Sequence, residues 1–359
     1  MRESGFARQS VAFSPPVEVW ELLATLQPEV YTKCLTEPWK WVLVCDKAVY
    51  GLKDAPLLWF LRCIASFKEL GMLPCSHDAC VWKMTRGEKL VLLLSLHVDD
   101  TLVTGEESDI HFLHVELQKR FGPMKAERGD FKHFGVHVSK LANHHIVMSQ
   151  AKYLEVLKPV ITIHPRGSGR QLDSEASAEE ISDYRSLVSG IAWVGVTNPN
   201  AQAAASLFQG FLPLPCIRQV ERLNAFLAQL KACYVPTTFT CIDLASAKLL
   251  TIADSSLGNN DKYSQAGHVV LLAHDTPDQP HLCGYVNLLN FRSGKSKRVA
   301  SSSMAAEVLQ LATAVEDSMF IQSWLYELLH PTLCSLDLLK IDPRQFIPCA
   351  GCTDCSDAY

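Results

Sequence analysis

The sequence lacks any long apolar run. Its longest predominantly apolar stretch is Leu90 to Leu96, far short of the roughly 20 residues that a membrane-spanning helix needs. It also lacks an opening segment in which charge precedes an apolar block, so no targeting signal is read there. A basic surplus is missing too. With a net charge of -5 and a pI near 6.2, the chain does not grip nucleic acid through overall charge, because phosphate contacts call for a basic surface. Only a local basic groove stays open to it. The 13 cysteines are scattered, without the spacing of a disulfide framework, and a chain of 359 residues has no need of such staples. Free thiols are the expectation. No period of roughly 20 to 50 residues recurs, which excludes a solenoid. The composition, 48% hydrophobic and 20% charged, is enough to bury a core and excludes wholesale disorder. The length is a prior for two or three domains.

The N-terminal stretch to about residue 45 is weakly patterned, and Phe13 to Trp20, with Pro15 and Pro16, reads as an extended loop. Gly51 then suits a turn and Pro56 the first turn of a helix. The helix shows apolar residues at Leu57, Phe60, Leu61, Ile64, Phe67 and Leu70 and is closed by Gly71. Strand-like runs follow at 79–84, 89–98 and 101–104, with Asp99 and Asp100 in the bend between the last two. An amphipathic helix carries Ile110, Leu113, Leu117 and Phe121, and further strands are read near 131–139 and 145–149. Residues 165–180 are a polar linker, 181–232 are helical and 235–247 are a second connector. The last third opens on a buried strand, Leu249 to Ala253, ending in Asp254. It continues through strands at 267–273 and 282–291 to a long helical segment, 301–330, with Glu307 in its first turns.

Two carboxylates side by side at a hairpin tip repel, and each raises the other's pKa unless a cation lies between them. Asp99 and Asp100 are therefore candidate ligands for Mg²⁺, a hard ion suited to oxygen donors. Two such ions can clamp the attacking and leaving oxygens in phosphoryl transfer. A solvated Asp-Asp turn is the plainer alternative. The apolar strand running into the pair weighs against it, since a buried strand would fix the acids in place. Trp59 and Phe60 read as core rather than as base-stacking platforms. Cys352 and Cys355 form a lone C-x-x-C with no second pair for zinc, and the pairs His111/His114 and His133/His137 read as ordinary histidines. Arg292, Lys295, Lys297 and Arg298 are either a solvated loop or a contact to a nucleic-acid backbone.

Several blocks carry a family resemblance. LSLHVDDTLVTG resembles the polymerase hairpin of reverse transcriptases, and KAVYGLKDAPLLWF resembles a segment that copia-type retrotransposons carry upstream of it. FGPMKAERGDFKHFGVHV, HHIVMSQAKYLEVL and YRSLVSGIAWVGVTNPN resemble that family's later blocks, in order. In the family the polymerase uses three aspartates, of which two map to Asp99 and Asp100. The third is expected upstream, in a motif ending in an Ala-Phe pair. No such aspartate precedes Lys47 in the right setting, and Asp46 lies too close to the next block. Ala12-Phe13 and the adjoining Pro-Pro-Val-Glu resemble the family's segment just downstream of that aspartate. The resemblance thus implies truncation, with the fingers and first palm strand absent. His97 stands where Tyr is commoner and Asp54 where Gln is commoner. By the same resemblance Tyr50, Gly51 and Lys53 line the nucleotide and template side, although Lys53 alone reads as a surface lysine at a helix start.

LLTIADSS, RVASSSMAAEVLQLATAVED and CTDCSDAY resemble the three acidic motifs of the copia-type RNase H domain. That match implies that Asp254, Glu307 and Asp354 hold two Mg²⁺ ions, with Mn²⁺ as the alternative. Read without it, Glu307 is a first-turn acid favoured by the helix dipole and Asp254 a turn residue. The sequence ends at Tyr359, before the fourth acid that such domains use, and Pro348 sits awkwardly for a central strand. The expected fold is α+β. A partial reverse-transcriptase palm spans 1–165, a helical thumb or connector 166–245, and an RNase H-like α/β domain, cut short, 246–359. The implied activity is RNA-directed DNA polymerisation with RNase H, and the implied partners are RNA template, DNA primer, RNA–DNA hybrid and dNTPs, with no membrane. The implied location is the cytoplasm, in the element's virus-like particle, or the nucleus. Polymerisation by this chain alone is expected to be defective. The rival readings are a non-catalytic relic and a domesticated nucleic-acid-binding or scaffold protein.

Overall fold

The computed structural model describes residues 12–45, 49, 51–162, 169–258, 264–274, 284–296, 298–333, 335–338, 340–342 and 345–353. Helices and sheets are mixed throughout. By internal contacts the chain divides into two compact units. One comprises Met1–Pro74, Cys80–Met84 and Leu92–Arg120. The other comprises Cys75–Ala79, Thr85–Val91 and Phe121–Tyr359.

In the first unit, two short strands, β1 (Ala12–Phe13) and β2 (Leu43–Val44), pair antiparallel. Between them lie helices α1 (Val17–Leu26) and α2 (Pro28–Thr36). The extended reading of Phe13 to Trp20 is thus corrected from Val17 onward. Pro16 is the residue before the first turn, where a missing N–H breaks no helical bond. Trp20, 1% exposed, anchors the pair, with its ring centroid 6.3 Å from that of Tyr31 on α2. Helix α3 (Ala55–Glu69) begins with Pro56 in its first turn. It ends where Gly71 takes φ +76°, a conformation that glycine adopts without strain. Its buried stripe is Cys63, Ser66 and Phe67, whereas Leu57 and Leu61 of the expected apolar face are exposed.

The next sheet has the order β3 (Leu73–Pro74), β4 (Val81–Arg86), β5 (Lys89–His97), β6 (Asp100–Gly105). Phe67 of α3 meets Trp82 of β4 at 5.4 Å between centroids. Leu92, Leu94 and Leu96 alternate into the core of β5, as a strand period of two requires. Helix α4 (Glu107–Phe121) follows, burying Leu113 and Leu117.

Past Phe121 the second unit continues with a meander, β7 (Asp130–His133), β8 (Val136–Lys140) and β9 (Ile146–Ser149), and the short helix α5 (Ala151–Val156). Three helices come next: α6 (Ala178–Val194), α7 (Pro199–Gln209) and α8 (Ile217–Ala232). Helix α6 starts with a capping box, in which Ser177 Oγ accepts from Glu180 N at 3.2 Å and Glu180 Oε2 accepts from Ser177 N at 2.7 Å. The helices close around Tyr184, Leu187, Ile191, Val220, Leu223 and Leu227. Gly190 sits mid-helix because a Cβ there would meet Leu157 Cδ2 at 2.7 Å. Part of the expected second connector is a strand, β10 (Thr237–Phe239), whose β-favouring residues add to the edge of β9.

The last layer has the strand order β13 (Val286–Lys295), β12 (Gln265–His274), β11 (Ala247–Ser256), β14 (Cys349–Cys352). The first three are mutually antiparallel and β14 runs parallel to β11. Between β13 and β14 come the 27-residue helix α9 (Ser303–Leu329) and the short α10 (Ser335–Leu338). Leu249, Val270 and Leu272 of the sheet pack with Ile321 and Leu325 of α9. Pro348 fits because it precedes the strand, and its carbonyl accepts from Leu249 N at 2.8 Å.

A polar chain crosses the same interface. The amide nitrogen of Gln310 donates to Nδ1 of the buried His268 at 2.8 Å, so Nε2–H of His268 donates to Asp317 Oδ2 at 2.9 Å. This is the neutral imidazole. Burial holds its pKa below the ordinary 6.5, and the nearby Asp317 only partly opposes that. Unfolded, the ring takes up its proton near pH 6.5, while the folded ring resists it to lower pH. The contribution is therefore complete above about 6.5, shrinks as pH falls towards the folded value, and levels off below it. Urea midpoints of the wild-type chain should fall below pH 6.5 more steeply than those of His268→Gln. Parallel pH profiles would refute this assignment.

Candidate functional site: an acidic hairpin and an acidic sheet end

Strands β5 and β6 pair with His97 opposite Asp100, so Val98 and Asp99 alone form the connecting turn. Val98 takes φ +53°, a left-handed conformation that strains a β-branched residue. Such strain persists only where its surroundings enforce it. Here β5 is buried up to Leu96, 4% exposed. The indole Nε1–H of Trp59 on α3 also donates to the Val98 carbonyl at 2.6 Å. Asp99 and Asp100 face solvent at the tip. The acids are thus carried on a fixed strand end, and their donors are all hard oxygens, the set that suits a divalent ion such as Mg²⁺.

Trp59 is 37% exposed and bonds the turn, so it is not the core residue expected from its helical spacing. Sequence offers no signal for this contact, because the two residues lie 39 positions apart. Gly51 has φ +92°, which explains the glycine, and Lys53 is exposed in the turn leading into α3. The segment assigned to the nucleotide thus runs into the helix that holds the hairpin. Tyr50 lies outside the described residues.

At the other acidic set, Asp254 sits near the end of β11. Glu307, 8% exposed, directs Oε1 at the backbone N–H of Ser255, 3.1 Å away. The two acids therefore address the same strand one residue apart. The pleat separates them: Thr251, Ala253 and Ser255 are buried on the α9 face, whereas Ile252 and Asp254 are exposed on the other. Asp354 lies outside the described residues, but β14 runs towards this same end of the sheet, with Cys352 level with Ile252. The end is also basic. Lys295 pairs with Gln265, which pairs with Ser256, and Lys295, Arg292 and Arg298 are exposed. Lys297 lies outside the described residues.

Residues 23–162 match the protein family described as reverse transcriptase (RNA-dependent DNA polymerase). The chain is 25% identical over 297 residues to the retrovirus-related Pol polyprotein from transposon RE1 of Arabidopsis thaliana, a match covering 79% of this chain and 19% of the relative. It is 26% identical over 331 residues to that from transposon RE2 of the same plant, covering 86% of this chain and 21% of the relative. To that from transposon TNT 1-94 of Nicotiana tabacum it is 24% identical over 312 residues, covering 80% and 22%. The chain spans about a fifth of the length of these relatives. It carries a reverse transcriptase region, and the acidic hairpin falls within it. More particularly, this is a copia-type retrotransposon reverse transcriptase region, of the kind found in Pol polyproteins.

The strained turn makes a direct forecast. Val98 is 57% exposed, so its replacement by glycine loses little burial. Val98→Gly should raise stability by about 1 kcal/mol, seen as a higher urea midpoint at unchanged slope. Trp59→Phe should speed amide exchange at His97 and Asp100. A lower midpoint for the glycine variant would show that the turn is not strained.

Proposed function

We propose that this chain is the palm, connector and RNase H-like stretch of a retrotransposon polyprotein that copies RNA into DNA. On its own it binds RNA–DNA hybrid and does not extend a primer. The observation that supports the polymerase assignment is the Asp99–Asp100 pair at a buried strand end inside the matched region. Asp99 and Asp100 would hold Mg²⁺ or Mn²⁺, which neutralises charge on the phosphoryl oxygens when bound. Lys53 supplies an ammonium for the phosphates of a dNTP, Gly51 lets the backbone approach the nucleotide, and Tyr50 completes that side. By the resemblance the chain holds two of the three aspartates that such polymerases use, so its isolated extension activity is expected to be absent or very weak.

The RNase H-like assignment is supported by topology: three antiparallel strands, a long helix, then a fourth strand parallel to the first. Asp254, Glu307 and Asp354 would be its acids, and Arg292, Lys295, Lys297 and Arg298 would meet the hybrid backbone. A second reading, duplex binding without hydrolysis, is favoured by one observation. Asp254 is exposed on β11, whereas Glu307 is buried on α9 and accepts from the backbone N–H of Ser255.

On a poly(rA)–oligo(dT) template the chain should give no extension, and clear extension would overturn the proposal. It should bind an RNA–DNA hybrid with an affinity that falls as salt rises. Cleavage of that hybrid should not exceed the background of an Asp254→Asn variant. Cleavage that the variant abolishes would assign this layer a working hydrolytic site. No hybrid binding at low salt would remove the nucleic-acid role.

A further inference from the structure

Far along α9 from Glu307, the side chain of Glu327 is fully buried. It faces residues from an unrelated part of the sequence within the same compact unit, Cys75–Ala79. Cys75 Sγ lies 3.1 Å and His77 Nδ1 2.8 Å from Glu327 Oε2, and one ligand atom from each residue falls within 4.8 Å of the other two. We infer that Cys75, His77 and Glu327 form a binding site for a zinc-class divalent ion. None of the three belongs to either acidic set, and the C-x-x-C at Cys352 plays no part in it.

The donor chemistry selects the ion. A sulfur, an imidazole nitrogen and a carboxylate oxygen make a borderline set that suits zinc and disfavours magnesium or calcium, which prefer oxygen alone. Three protein ligands leave a fourth tetrahedral position for water. The spacing is close to what zinc needs. Ordinary zinc bond lengths put ligand atoms roughly 3.3 to 3.7 Å apart, so the cluster opens by a few tenths of an ångström.

Supports around the ligands are in place as well. Ser323 Oγ, one turn before Glu327 on α9, lies 3.0 Å from His77 Nε2. Without the ion, Nδ1–H donates to Glu327 Oε2. On binding, the ring proton moves through solvent to Nε2, which donates to that hydroxyl and leaves Nδ1 bare for the ion, the arrangement that orients a ligating histidine. Ser76 N–H donates to both Glu327 oxygens, at 2.9 and 3.1 Å, which fixes the carboxylate plane. Phe320 packs edge-on against His77, with centroids 5.2 Å apart. Cys75, 4% exposed, is a neutral thiol without the ion, since burial raises its pKa. On binding, the Cys75 S–H proton goes to solvent and the thiolate becomes the ligand. The ion then staples the Cys75–His77 segment to α9 inside one unit.

Cobalt(II) is the probe, because a thiolate ligand gives it a charge-transfer band. Metal-free full-length chain should take up Co²⁺ saturably with that band, and Zn²⁺ should displace it. Cys75→Ser should abolish the band. His77→Ala and Glu327→Gln should weaken uptake, and Cys352→Ser should leave it intact. Circular dichroism checks that each variant folds. If Glu327→Gln does not fold, the Cys75 and His77 variants still decide. Zn²⁺ should also raise the Tm of the wild-type chain and not that of Cys75→Ser. Absence of a saturable band, or a band that survives Cys75→Ser, would overturn the site.

Discussion

A buried polar seam holds helix α9 in register over its sheet, and most of the second unit's chemistry depends on it. Glu307 bonds the backbone of Ser255, Gln310 bonds His268, Asp317 accepts from His268, and Ser318 meets Thr251. The apolar contacts of Ile321 and Leu325 supply the drive for packing, since each neutral hydrogen bond adds only about 1 kcal/mol net. The seam does something different. Sliding or rotating the helix would leave several buried groups unsatisfied at about 1–3 kcal/mol each. One placement is therefore selected, and it delivers Glu307 to the acidic sheet end and Glu327 to Cys75 and His77.

The first unit fixes its acids by another route. A buried strand runs up to Leu96, a bond from Trp59 pins the carbonyl of the next turn, and the backbone accepts a strained valine. Asp99 and Asp100 are thereby carried at the tip of a fixed strand end.

Much of this hairpin was legible in the sequence, because alternating leucines and an abrupt Val-Asp-Asp stop obey a local rule. Strand and helix periods of the last third were legible for the same reason, and so was Gly71. What escaped was of three kinds. Pro15 and Pro16 read as loop residues, although a proline just ahead of a first turn is compatible with α1. The apolar spacing of α3 placed Leu57 and Leu61 inside, whereas the buried stripe is set by which neighbours reach the helix. Trp59 with Val98, and Cys75 with Glu327, are pairs 39 and 252 residues apart, and no local pattern announces such meetings.

The length of α9 has a consequence of its own. At about 1.5 Å per residue and 100° of rotation, the helix acts as a ruler between Glu307 and Glu327. Adding or removing a single residue between them would turn one end by about a quarter circle while the other stayed docked. Substitutions there change one contact, whereas insertions and deletions break the whole register. As such a gene drifts, this segment should keep its length long after it has lost its letters.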